Sequence, residues 1–131
     1  VIRGVQELGV PVVYFAKGIS QHLDKAAKMK SDVLGVDWTI SMKDARAKVG
    51  PDITLQGNLD PCALFASGPE VRKRVTAILE DMKDDPRFVF NLGHGILPKT
   101  PPENAREIVR TIRDFYGKSW NGQDLVMDAE A

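Results

Sequence analysis

The stretch DVLGVDWTISMKDARAKVGPDITLQGN, residues 32–58, holds two short apolar runs separated by a helical segment. The runs are DVLGVDW (32–38) and DITLQGN (52–58), β-branched or aliphatic and nearly continuous rather than alternating. Such runs read as strands buried on both faces, which is the signature of a parallel sheet. Between them, SMKDARAKVG (41–50) places Ser41 and Asp44 at a helix start and Gly50 at its stop. Strand, helix and strand in that order make a right-handed crossover unit.

Working outward, the same unit recurs on both sides. Upstream, VPVVYFA (10–16) is a third strand-like run, and ISQHLDKAAKM (19–29) can bring Ile19, Leu23, Ala26 and Ala27 to one side of a helix. Downstream, Ser67 and Glu70 stand at capping-box spacing, and Val71, Val75, Ile78, Leu79 and Met82 recur with helical period. RFVFNLG (87–93) is the fourth run. After it, Thr100 and Glu103 repeat the capping spacing with Pro101 expected at the first helical position. Ala105, Ile108, Val109, Ile112 and Phe115 then make an expected buried stripe that ends at Gly117. The alternation predicts an α/β fold, with residues 1–117 as one unit. The opening VIRGVQELG reads as the last turns of a helix closed by Gly9, so the chain is expected to be part of a longer protein. Residues 118–131 lack a period and read as a mobile tail.

Bulk properties narrow the functional classes. The 131 residues carry 18 basic and 18 acidic side chains. A balanced charge argues against a nucleic-acid or anionic-membrane binder that works by bulk attraction. The single cysteine, Cys62, excludes an internal disulfide and a multi-cysteine metal site, and it fits a reducing compartment. It follows Pro61 in a loop and reads as a buried structural thiol. No apolar run approaches the roughly 20 residues of a membrane helix. Nucleotide-binding glycine loops, a G-x-S-x-G elbow and an H-E-x-x-H pair are absent.

Polar chemistry collects where the predicted strands end, which is where parallel α/β folds bind ligands. Those ends carry Lys17-Gly18, Asp37-Trp38, Gln56-Gly57-Asn58, and Asn91 with Gly93-His94-Gly95. Each residue also has a plainer role. Asp37 can cap the next helix loop, Gln56 and Asn58 can brace neighbouring loops, and His94 can be a turn residue bonded to a carbonyl. Lys17 can be solvated, and His22, in mid-helix, reads as a surface residue. The glycines on both sides of His94 favour a ligand, because they let backbone approach closely. Four polar strand ends together predict one shared polar mouth.

LGVDW (34–38), LQGNLDP (55–61) and FNLGHGI (90–96) follow one another in an order and spacing that resembles the uroporphyrinogen decarboxylase family, and YFAKG (14–18) is similar to that family's preceding strand end. The resemblance runs from about residue 1 to residue 116. It implies a (β/α)8 barrel of the TIM type, of which this chain corresponds to the carboxyl-terminal half, strands five to eight with their helices. It implies a carboxy-lyase that converts the four acetate side chains of uroporphyrinogen to methyls, giving coproporphyrinogen in haem and other tetrapyrrole biosynthesis. It implies no metal and no organic cofactor, since a protonated pyrrole can be its own electron sink. The family's cleft histidine in NLGHG falls on His94, as a contact to a substrate carboxylate. Gln56, Gly57, Asn58, Asp37, Gly93 and Gly95 would line or brace the same mouth. Expected partners are the tetrapyrrole, a second copy in a homodimer of the intact enzyme, or an amino-terminal half. The expected setting is the cytoplasm, or a plastid where a transit peptide precedes.

This chain departs from the family pattern in one respect. It has no R-Q-A-G-R arginines, and the segments with the family's aspartate, tyrosine and serine are not in it. The isolated chain is therefore expected not to decarboxylate. Two other readings share the element order. Corrinoid-dependent methyltransferases use the same barrel but bind zinc through a histidine and cysteines, and the strand ends FAKG and NLGHG contain no cysteine. A small doubly wound domain that binds an anion or a partner protein also needs only four βα units.

Overall fold

A computed structural model describes residues 1–117, so the tail reading for 118–131 lies outside the described residues. The elements are α1 (Ile2–Gln6), β1 (Val13–Phe15), α2 (Leu23–Ala27), β2 (Val33–Gly35), α3 (Met42–Val49), β3 (Thr54–Leu59), α4 (Gly68–Met82), β4 (Phe88–Leu92) and α5 (Pro102–Phe115). Short 3₁₀ turns at Ser20–His22 and Pro61–Phe65 lead out of β1 and β3. The strands lie in the order β1-β2-β3-β4, and every pair is parallel.

Register explains which side chains are buried. Tyr14, Leu34, Leu55 and Phe88 stand in one row across the four strands. That row faces the helices, since Leu34 and Leu55 are core and Tyr14 and Phe88 pack against the same cluster. A second cluster, Leu59, Leu64, Val71, Val75 and Leu79, continues the same face toward α5. Ile78 and Phe88 touch both clusters. The next row, Phe15, Gly35, Gln56 and Val89, faces the opposite side, because successive residues of a strand alternate. Helices α2 to α5 therefore cover one face of a sheet whose strands run in sequence order, while α1 buries no residue. A doubly wound sheet reverses its strand order and carries helices on both faces. The fold is that of half a (β/α)8 barrel, and the doubly wound reading is overturned.

Several local expectations are corrected. The strands are not buried on both faces: Val13, Phe15 and Val89 are exposed on the concave side, which nothing among the described residues covers. The Ser41 cap forms, with the Asp44 N–H donating to Ser41 Oγ at 3.0 Å and Ser41 Oγ donating to Asp44 Oδ2 at 2.7 Å. The two expected capping boxes do not. Ser67 makes no side-chain cap, and Glu70 pairs with Arg74 at 2.9 Å instead. Thr100 Oγ1 is buried without a partner, Pro101 is the cap residue rather than the first helical one, and Glu103 pairs with Arg106. The start of α5 is fixed by Asn104, whose amide donates to the Leu64 and Ala66 carbonyls at 2.8 and 2.9 Å. The α5 stripe is half-buried rather than buried, because the helix packs on α4 along one side only. Arg72 joins those two helices through Glu107 and Asp114 at 2.7 and 2.9 Å. Cys62 is exposed, because its turn buries Pro61, Ala63 and Leu64 and points the thiol out. No helix among the described residues is long and apolar enough to cross a membrane.

Candidate functional site

The carboxyl ends of the four strands converge as the sequence predicts, and their residues divide into two groups. One group is spent on holding the ends together. Asp37 is 3% exposed, and its carboxylate accepts four hydrogen bonds. The Gly18 N–H donates to Oδ2 at 2.5 Å. Oδ1 takes the Thr39 N–H at 3.0 Å, the Thr39 hydroxyl at 2.5 Å and the Ser20 hydroxyl at 3.2 Å. Burial pushes the Asp37 carboxyl up, but the donors from Thr39, Gly18 and Ser20 outweigh it and hold the group below the ordinary value of 3.8. Asn58 is buried and donates to the Asp37 and Ile40 carbonyls, at 2.9 and 2.5 Å. The peptide before it, Gly57–Asn58, is cis, and Gly57 has φ 153°. A Cβ on Gly57 would lie 2.5 Å from the Val36 carbonyl oxygen, so only glycine fits between β2 and β3 there. Gly93 packs as closely, with its N–H on the Leu59 carbonyl at 2.7 Å.

The second group faces open space. His94 is exposed, with its ring edge-on to Phe15 at 6.0 Å and to Trp38 at 6.3 Å between centroids. Its imidazole makes no hydrogen bond to any side chain or backbone carbonyl among the described residues, so the carbonyl-bonded turn role has no support in the geometry. Lys17 Nζ lies 5.3 Å from the centre of the Trp38 ring. Nothing stands within 4 Å of where a Cβ on Gly95 would be. A concavity of about 450 Å³ opens here, with Phe15, Gln56, Asn91, His94, Gly95 and Ile96 in its wall. Its floor is the concave row of the sheet, where Phe15 lies against Gly35, 3.0 Å from the position a Cβ would take.

Sequence reasoning named most of these positions but missed the aromatic frame. Phe15 and Trp38 form it, and the signal was present: Phe15 and Gly35 are in register once the strands are parallel, and Trp38 lies three residues beyond. Two further concavities, each about 590 Å³, lie around Arg46, Asp81 and Arg87 and around Lys28, Lys48 and Asp52. Both are at the amino-terminal ends of the strands, the face that serves stability in parallel barrels. Arg46 shows that role by bonding Asp85 and the carbonyls of Gly50, Ile53 and Arg87. The chemically equipped mouth is the smaller one at the opposite end. No group of three or more histidine, cysteine, aspartate or glutamate side chains among the described residues is arranged to hold a metal ion.

Comparison with known proteins places this geometry. Residues 1–115 match the family model described as uroporphyrinogen decarboxylase (URO-D). A uroporphyrinogen decarboxylase of Desulfotalea psychrophila is 44% identical over 118 residues, which is 90% of this chain and 34% of the relative. One of Pelobacter propionicus is 41% identical over 112 residues, 86% of this chain and 33% of the relative. One of Alkalilimnicola ehrlichii is 48% identical over 106 residues, 81% and 29%. The chain thus spans about a third of the length of the curated relatives it matches. A solved methyltransferase from Methanosarcina mazei superposes with a TM-score of 0.76 at 23% identity, over 87% of this chain and 34% of that one, a likeness of fold.

Proposed function

The chain belongs to the uroporphyrinogen decarboxylase family, and on that premise we propose that it forms the carboxyl-terminal half of a barrel that decarboxylates the acetate side chains of uroporphyrinogen to give coproporphyrinogen. The observation that carries this reading is His94, an exposed imidazole with no hydrogen-bond partner among the described residues, set between Phe15 and Trp38 at the strand ends. A flat macrocycle fringed with carboxylates needs an aromatic wall, a backbone it can approach and donors for its anionic edge. Phe15 and Trp38 supply the first, Gly95 the second, and His94 a donor for the third.

The chemistry asks little else of this half. Protonation of a pyrrole carbon makes a cationic, imine-like ring beside the acetate. The carbon–carbon bond to the carboxylate then breaks, carbon dioxide leaves, and the bonding pair returns to the ring. A proton delivered to the exposed methylene completes the methyl, and the ring carbon gives back the proton it first took, which restores the pyrrole. The protein positions the carboxylates, excludes water and stabilises the transient cation. On this reading Gln56 lines the mouth, and Asp37, Gly57, Asn58 and Gly93 brace it. The arginine, aspartate, tyrosine and serine groups of the family pattern come from an amino-terminal half, which we propose as the partner that covers Val13, Phe15 and Val89. The reaction's setting is the cytoplasm.

Mixing tests this reading. The chain alone is expected to make no coproporphyrinogen. Combined with the amino-terminal part of the Desulfotalea psychrophila relative, it is expected to form a one-to-one complex that does. A stable complex without product would refute the proposed activity. Product from the chain alone would refute the need for a second half.

A further inference from the structure

We propose that Lys17 is a second anchor for a ligand carboxylate, on the β1 side of the mouth, working with His94 on the β4 side. The inference rests on reading the mouth as a polycarboxylate site. It goes beyond that reading by naming a specificity-determining residue at the end of β1.

Three observations carry it. First, Lys17 is a cation without a carboxylate. Lys17 is exposed and its ammonium has no acidic partner among the described residues, a state it shares with most of the lysines; its place at the end of β1 is what sets it apart. Its contact is the Trp38 ring, 5.3 Å from Nζ to the centroid. An exposed contact of that kind is weak and leaves the ammonium free to take an anion.

Second, Lys17 is placed rather than loose. The residue after it, Gly18, donates its N–H to Asp37, and Trp38 follows Asp37 in the chain. One buried carboxylate thus fixes the backbone beside both the lysine and the indole. Third, His94 shares that indole. Gly93 packs on the Trp38 backbone, which sets the imidazole edge-on to the same ring at 6.3 Å. Both polar groups therefore address one aromatic ring, so a single flat ligand lying there can reach both. Lys17 and His94 would select for two carboxylates on neighbouring edges of that ligand.

The test titrates the full 131-residue chain with uroporphyrin, the oxidised octacarboxylate, followed by tryptophan quenching and the porphyrin absorbance. Lys17→Met keeps the stem and removes the charge, Lys17→Arg keeps the charge, and Lys73→Met removes an exposed charge on α4. All four proteins are first shown to melt alike. Lys17→Met is expected to bind about tenfold more weakly, with Lys17→Arg and Lys73→Met within about threefold of the parent. If the parent binds and Lys17→Met binds equally well, the inference falls while the proposed function stands. Equal losses in Lys17→Met and Lys73→Met would reduce the effect to net charge and also overturn it. If the parent binds no uroporphyrin, the inference falls, and the proposed function keeps its own test in the complex with an amino-terminal half.

Discussion

Gly93 and Gly95 flank the same histidine, yet the structure assigns them opposite sensitivities to alanine. A Cβ on Gly93 would lie 2.7 Å from the Trp38 nitrogen, 3.1 Å from the Asp37 carbonyl carbon and 3.2 Å from the Asn58 oxygen. All three are backbone atoms at the ends of β2 and β3, so no side-chain rotation relieves the contact. Ordinary contact begins near about 3.5 Å, so the end of β4 must retreat by roughly 0.8 Å. That retreat pulls on the Gly93 N–H bond to Leu59, now 2.7 Å long. Overpacking of this kind costs about 1–3 kcal/mol, and a weakened buried hydrogen bond adds about 1 kcal/mol. For a unit of this size the sum lowers the melting temperature by roughly 6–20 °C. Gly95→Ala meets nothing within 4 Å, and its melting should stay within about 2 °C of the parent. Thermal melts by far-ultraviolet circular dichroism measure both. A Gly93→Ala melt that overlays the parent, or a Gly95→Ala melt that falls as far, would refute the assignment of Gly93 to packing and Gly95 to the open mouth.

Other consequences can be checked alongside. The Asp37 carboxyl is held below 3.8, so it contributes stability that is complete above that value and is lost as pH falls through the lower folded value. Parent melts between about pH 4.5 and pH 2.5 should therefore decline more steeply than those of Asp37→Asn, and parallel declines would contradict the four-donor account. Cys62 should react with a thiol reagent in the native chain within about tenfold of its rate in urea; a thiol protected a hundredfold or more would be buried after all. Val89→Glu puts a charge on the concave row and should abolish the complex with an amino-terminal half while leaving the melt within about 2 °C, because Val89 is 46% exposed. Full complex formation by Val89→Glu would move that interface elsewhere.

The fold was legible because two periodicities agreed. Near-continuous apolar runs specified parallel strands, and the helical stripes between them specified what covers the sheet. The row Tyr14, Leu34, Leu55 and Phe88 is the physical result. What failed was local and competitive. Ser41 caps α3 and Asp44 stays bonded to its hydroxyl, since Lys48 one turn on is drawn to the Ser20 carbonyl, whereas Glu70 and Glu103 each pair with an arginine within a turn. Capping spacing says where a carboxylate could reach, and the arginine decides whether it does. Burial on both faces was misread for a related reason. Val13, Phe15 and Val89 have the composition of barrel-interior positions, but composition does not say which chain supplies the other side.

The candidate site was legible in position and illegible in role, and Asp37 shows why. An aspartate at a strand end could equally face a ligand or a loop, and only the donors around it decide. Gly18, Ser20 and Thr39 bring four bonds from two loops, and those bonds leave its carboxylate with little left to offer a ligand. Asn58, Gly57 and Gly93 are committed in the same way, each to backbone of a neighbouring strand end or its following loop. Those four residues make the mouth rigid by closing the gaps between strand ends, and that rigidity keeps Lys17, Trp38 and His94 in fixed relation without any bond among the three. A site whose contact residues carry no internal partners keeps its hydrogen-bonding capacity for the ligand, provided a buried second set holds the frame. The buried aspartate and asparagine are thus what allow the exposed lysine and histidine to remain unpaired.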